Sequence, residues 1–191
     1  MSAREGARRI VSRVLITGGA LLLLFVASVS IRSYLLAREN EGSPRVAAFA
    51  ATSTAVRRYA ATTGRIGTLD IPRLGLRVPV VEGDDNESLL SGVGHVPDTA
   101  YPGERENAAL AGHRDTHFAK LRGIEPGDSI RVETPGGTYL YQVDSAFVVM
   151  PDRGDLLDHT GRATLTLVTC YPFHWIGPAP KRFIVRAHGL G

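Results

Sequence analysis

The stretch ATLTLVTC (163–170), running at once into YPF (171–173), reads as a β-strand that ends on the chain's single cysteine. Side chains on a strand alternate between two faces. Leu165 and Leu167 share one face, and Thr164, Thr166, Val168 and Cys170 share the other. The wholly apolar pair belongs in a core, so Cys170 falls on the more polar face. A second run, RFIVRA (182–187), divides the same way. Phe183, Val185 and Ala187 point inward, and Arg182, Ile184 and Arg186 point outward. If the two strands are neighbours, a cysteine and an arginine line one outer surface. YPFHWIGPAPK (171–181) is then the loop that joins them.

The surrounding chain has the same texture. From Gly67 onward short β-rich runs recur between Gly, Pro and Asp: RVPVV (77–81), NAALAGH (107–113), SIRVET (129–134) and YLYQVDSAFVV (139–149). This is the spacing of an all-β barrel or sandwich. TPGGT (134–138) sits between two alternating runs and predicts a hairpin turn. IEPGDSI (124–130) predicts another turn, with Pro-Gly-Asp chemistry. One short helix is expected at DNESLLSG (85–92), capped by Asp85 or Asn86. Residues 65–191 are enough for one hydrophobic core.

The N-terminal third differs. Residues 1–64 carry nine Arg against three Glu, whereas residues 65–191 carry 13 Lys and Arg against 16 Asp and Glu. The basic balance therefore belongs to the first segment. No basic run with interleaved aromatics marks the remainder, which sets nucleic acid aside as a partner. Residues 14–31, VLITGGALLLLFVASVSI, contain no charged residue. Such a run reaches the shorter lengths that cross a bilayer, about 17–25 residues. Four arginines precede it, and Arg32, Arg38 and Arg45 follow. The expectation is a cytoplasmic N-terminus (1–13), an uncleaved transmembrane anchor (14–31), a helical or flexible stalk (32–64) and an extracytoplasmic domain (65–191).

A single cysteine excludes an intramolecular disulfide and a multi-cysteine zinc site. A buried small hydrophobe and a reactive thiol remain, and strand phase favours the second. A thiol nucleophile needs a base or a cation beside it. Of the six histidines, His113 stands at the end of the apolar run NAALAG, with Gly112 before it to permit close approach. His174 lies four residues past Cys170 in the joining loop. His117, His159 and His188 read as surface residues.

These residues resemble a known family. LAGHRDTHF (110–118), LTLVTCYPF (165–173) and GPAPKRFIVRA (177–187) are similar to the sortases, cysteine transpeptidases of bacterial surfaces. GHVPDTAYPGERENAALAGHRD (94–115) is similar to the family's central segment. The wording TCYPF and GPAPKRF most resembles class D. The resemblance implies a closed sortase-type β-barrel with short helices over residues 65–191. It implies Cys170 as nucleophile, His113 as acid/base and Arg182 as the oxyanion or substrate-positioning residue, with Arg186 as the competing arginine. Thr169, beside the cysteine, His95 and the outward Ile184 are implied on the substrate side. Asp115 reads as a turn residue. His117 and His174 stand where the family more often carries an aromatic, a departure at the rim of the groove.

The same resemblance implies cleavage of an LPxTG-like sorting signal through a thioacyl enzyme. The protein is then passed to an amine acceptor such as a peptidoglycan precursor or a pilin lysine. No cofactor is expected. Some members use calcium, for which Glu104 and Glu106 are the candidates here. Two rivals share the sequence: a cysteine hydrolase that releases product to water, and an anchored binding module without activity. The presence of all three reactive residues speaks against the module. The hydrolase shares the thioester step and is separable only by adding an amine.

Overall fold

The computed structural model describes residues 49–191, with side chains from Thr54 onward. The run 14–31, the expected cytoplasmic N-terminus and most of the expected stalk lie outside the described residues. Among the described residues no helix is long and apolar enough to cross a membrane.

Helix α1 (Phe49–Thr63) leads into β1 (Arg65–Ile71) and β2 (Leu76–Glu82), and then into the short helix α2 (Asn86–Ser91). Six strands follow: β3 (Val93–His95), β4 (Asn107–Gly112), β5 (Ser129–Thr134), β6 (Gly137–Val149), β7 (Thr164–Tyr171) and β8 (Lys181–Gly189). They close into one barrel in the order β1-β2-β3-β4-β7-β8-β6-β5. Closure leaves no sheet edge unpaired.

Local chemistry sets the turns. Thr134 pairs with Gly137, so Pro135 and Gly136 make the tip of the β5–β6 hairpin. Asp85 caps α2, its carboxylate accepting from the Glu87 and Ser88 amides at 2.9 and 3.1 Å. This fulfils the expected role of an N-cap aspartate.

The core follows the predicted strand phase. Leu165, Leu167, Val185 and Ala187 are fully buried together with Leu69, Leu110, Ile130 and Val132. The opposite face departs from expectation. Thr164, Thr166 and Ile184 are buried as well. The chain between β6 and β7 crosses that face, so outward-pointing there does not mean solvated.

The stalk expectation also changes at its end. Val56 and Ala60 of α1 belong to the barrel's core cluster. Arg57 donates through one nitrogen to both Glu104 carboxylate oxygens, at 2.9 and 3.1 Å. Its guanidinium also lies 4.7 Å from the centre of the Tyr101 ring. Tyr101 stacks on His95, with ring centres 4.4 Å apart, and donates to Glu82 at 2.7 Å. The last turns of α1 are therefore a packed part of the domain.

Burial alone would raise the Glu82 carboxyl. The hydrogen bonds with His95 and Tyr101 outweigh it and hold the group below its ordinary value near 4.5. Burial first, and the Glu82 carboxylate second, push the Tyr101 phenol up to about 12.

Two outcomes are expected. Val56→Ala should cost about 2 kcal/mol in urea denaturation, as for other large-to-small core changes. An unchanged midpoint would detach α1 from the domain. A depressed carboxyl stabilises the fold above its unfolded pKa, and that stability is lost as pH falls through the folded value. Glu82→Gln should therefore lower Tm most above pH ~5, and the gap to the parent should close as pH drops below about 4.5. A gap that widens on acidification would contradict this reading of Glu82.

Candidate active site

β4 and β7 run parallel, so their C-terminal ends emerge at one rim of the barrel. Their register ends at Gly112 opposite Thr169. The next residue on each strand is a reactive one: His113 after β4, Cys170 on β7. Neighbouring strands lie about 4.8 Å apart, so the two groups arrive side by side. β8 returns antiparallel from this rim, and its second residue, Arg182, pairs directly with Cys170. The geometry thus separates the two arginines. Arg186 pairs with Thr166, four residues down the strand from the thiol's register.

The strand ends are held from inside. Thr169 is 2% exposed, and its hydroxyl donates to the Gly112 carbonyl at 2.7 Å. This residue, expected on the substrate side, thus turns its hydroxyl to the backbone below His113. Phe118 is fully buried under Gly112, where a β-carbon would meet its ring at 2.8 Å. The Phe118 amide donates to the His113 carbonyl at 2.9 Å and closes the turn after β4. Gly112 is therefore required for close approach, as the sequence suggested.

The reactive groups themselves are uncommitted. Cys170 is a free, half-buried thiol. No hydrogen bond or ion pair among the described residues engages its sulfur or the His113 ring. Arg182 donates through Nη1 to the carbonyls of Ala179 and Lys181, at 3.3 and 3.0 Å. No carboxylate among the described residues pairs with it, so it keeps donors for an incoming oxygen. Tyr171, Phe173 and Phe183 form an aromatic cluster at the same rim, with Phe173 and Phe183 centres 5.2 Å apart.

The loop from β7 to β8 is tied to the turn after His113. Arg114 donates to the carbonyls of Trp175 and Gly177, at 2.9 and 3.2 Å. Arg122 Nη1 lies 3.3 Å from His174 Nε2. His117 Nε2 lies 3.3 Å from the Leu90 carbonyl at the end of α2. The two histidines that depart from the family's aromatics thus tie rim segments together. His159 and His188 pair with Glu106 and Asp144. Asp115 is exposed.

The other expected site residues fall elsewhere. His95 is 2% exposed, with Nδ1 2.9 Å from Glu82 and Nε2 2.9 Å from the Ala100 carbonyl. Its ring is enclosed by the network that docks α1. Ile184 is 3% exposed, in register between Val168 and Phe147. Glu104 binds Arg57 and the Tyr101 amide, whereas Glu106 accepts from the Thr160 and Gly161 amides. Their carboxylates serve different partners. No three acidic, histidine or cysteine side chains gather among the described residues. An open cavity of about 400 Å³, lined by Arg65, Glu82, Asp85 and Ser88 among others, includes none of the three reactive groups.

Sequence reasoning passed over Arg114, Asn107 and the Glu82–Tyr101–Arg57 cluster. Asn107 did carry a signal: a lone amide opening an otherwise apolar strand.

Comparison with known proteins agrees with this geometry. The family model described as "Sortase domain" matches residues 69–189. The chain is 40% identical over 121 residues to Sortase D of Bacillus subtilis (strain 168), covering 62% of this chain and 61% of that protein. It is 30% identical over 189 residues to Sortase SrtE1 of Streptomyces coelicolor, covering 87% of this chain and 53% of that protein. The chain thus spans less than two thirds of the length of these curated relatives. Among solved structures, a Clostridium perfringens Sortase D5 transpeptidase superposes with a TM-score of 0.61 at 25% identity. That match covers 76% of this chain and 99% of the other. With a cysteine, a histidine and an arginine gathered at one rim of a closed eight-stranded barrel, the chain belongs to the sortase family.

Proposed function

We propose that this protein is a cysteine transpeptidase acting on an LPxTG-like sorting signal. The observation that carries the proposal is the shared rim: Cys170 in register with Arg182, and His113 one step beyond the residue opposite Thr169. The Cys170 thiol passes its proton to His113, the thiolate sulfur attacks the carbonyl carbon of the scissile peptide, and the π pair moves onto oxygen. Arg182 lies where its free N–H groups can hold that developing negative charge. The tetrahedral species collapses, the C–N bond breaks, and His113 gives a proton to the leaving amine. A thioester on Cys170 remains. An acceptor amine then attacks it, His113 takes the amine's proton, and the sulfur departs with its electron pair. Substrate is joined to acceptor by a new amide, with no net redox change.

The chemistry needs an acyl donor and an amine acceptor; the family resemblance makes these an envelope protein bearing the sorting signal and an amine such as a peptidoglycan precursor or a pilin lysine. The uncharged run 14–31, with arginines on both sides, supports an anchor with the N-terminus in the cytoplasm and the catalytic domain outside. The class D wording of TCYPF and GPAPKRF is supported by the match to a relative named Sortase D.

The test is a peptide cleavage assay with intact-mass detection of the enzyme. The parent should gain the mass of the acyl fragment, and Cys170→Ala should show neither adduct nor turnover. His113→Ala should lose about 10²–10⁴-fold in rate, the usual range for removing a general acid–base group. Arg182→Ala should lose about 10²–10³-fold, as for an oxyanion donor. Cleavage by Cys170→Ala at the parental rate would end the proposal. Added diaminopimelate or a glycine peptide should appear in the product; product that remains the free acid would assign hydrolysis instead.

A further inference from the structure

The segment 150–163 leaves β6 beside the reactive rim, because Val149 pairs with Arg182. It rejoins the sheet at the opposite rim, where Thr164 pairs with His188. It therefore runs down the outer face of the sheet that carries the thiol. Between this segment and the rim, Ala111 and Val168 sit in register on that face, and both are partly exposed. These two residues lie on the same face as Cys170, between it and the buried Thr166.

Three polar side chains beneath the segment hold it. Asn107 donates through Nδ2 to the Leu156 and Asp158 carbonyls, at 3.0 and 3.2 Å. Thr166 donates to Asn107 Oδ1 at 2.7 Å. Arg186 donates to the Thr166 hydroxyl at 3.0 Å and to the Leu156 carbonyl at 3.1 Å. Asn107 and Thr166 are almost wholly buried. No carboxylate among the described residues pairs with Arg186, whose hydrogen bonds go to the neutral oxygens of the Thr166 hydroxyl and the Leu156 carbonyl. A buried polar chain of this kind is stable only when each member is satisfied, so losing one member releases the others.

We infer that Asn107, Thr166 and Arg186 act as one anchor that holds the 154–158 turn as a wall beside the face carrying Cys170, and thereby sets how tightly the substrate peptide is held. These are positioning residues, four to six residues along their strands from the rim. The inference rests on the transpeptidase reading for its substrate, but the anchor is measurable without turnover.

The test compares Arg186→Met, the near-isosteric Thr166→Val and the conservative Thr166→Ser. Hydrogen exchange is read at the Leu156 and Asp158 amides, and KM and kcat are measured with an LPxTG-type peptide. Both disruptive variants should exchange about tenfold faster at those amides, with the strand amides of β4 and β7 unchanged. KM should rise about tenfold, kcat should stay within about twofold, and the rate of Cys170 modification by a small thiol reagent should hold. Thr166→Ser should restore parental values. Should Arg186→Met fail to fold, Thr166→Val carries the test. Unchanged exchange in the disruptive variants would overturn the anchor. So would a fall in kcat at constant KM, which would place the effect at the rim. If even the parent leaves the peptide uncut, the transpeptidase reading fails, and the exchange data still decide whether the anchor exists.

Discussion

The bond from the Thr169 hydroxyl to the Gly112 carbonyl, 2.7 Å long and buried, is the constraint on which the site depends. It crosses between two parallel strands at the last rung of their ladder. Each of its partners immediately precedes a reactive residue, Cys170 on one strand and His113 on the other. A net hydrogen bond contributes only about 1 kcal/mol, but a buried carbonyl left without a donor costs about 1–3 kcal/mol. The pairing is therefore expensive to break in this place. Phe118 under Gly112 closes the same corner by packing. Cys170 and His113 are thus aligned from inside the barrel.

The outer face of β4, β7 and β8 is divided along its length. At the rim, no side chain among the described residues bonds the thiol or the imidazole, and the Arg182 guanidinium donates only to two backbone carbonyls. Lower down, Asn107, Thr166 and Arg186 have their polar bonds directed to one another and to the crossing chain. The same sheet surface therefore carries free donors at the rim and satisfied ones beneath the crossing chain. This division also explains why two arginines on one strand differ in role: register alone sets Arg182 against the thiol and Arg186 against a buried hydroxyl.

Much of this was legible in the sequence. Period-two alternation sorted Leu165 and Leu167 from Cys170, because one face of a barrel strand must be apolar. The strand-end positions of His113 and Cys170 could be read for the same reason. What alternation does not reveal is what covers the outer face. Thr166 points outward as expected and is nonetheless buried, because Asn107 and Arg186 bond it beneath a connecting segment; Ile184 is buried in register between Val168 and Phe147. His95 shows the same limit. The family resemblance implied it on the substrate side, but Glu82 and Tyr101, distant in sequence, enclose it. The helical end of the stalk was misjudged because Val56 and Ala60 are too sparse an apolar stripe to announce a docked helix. Only the barrel surface that receives them identifies it.

The most direct test of this account is a comparison of Thr169→Val and Thr169→Ser. Valine keeps the volume and removes the donor; serine keeps the donor. The account predicts that Thr169→Val retains a folded barrel and a Cys170 that reacts with a small thiol reagent. Acylation by substrate peptide should slow by about 10–100-fold, the scale of one buried hydrogen bond's loss at a site that depends on alignment. Thr169→Ser should acylate at close to the parental rate. Parental acylation by Thr169→Val would contradict the claim that this bond aligns the two reactive residues.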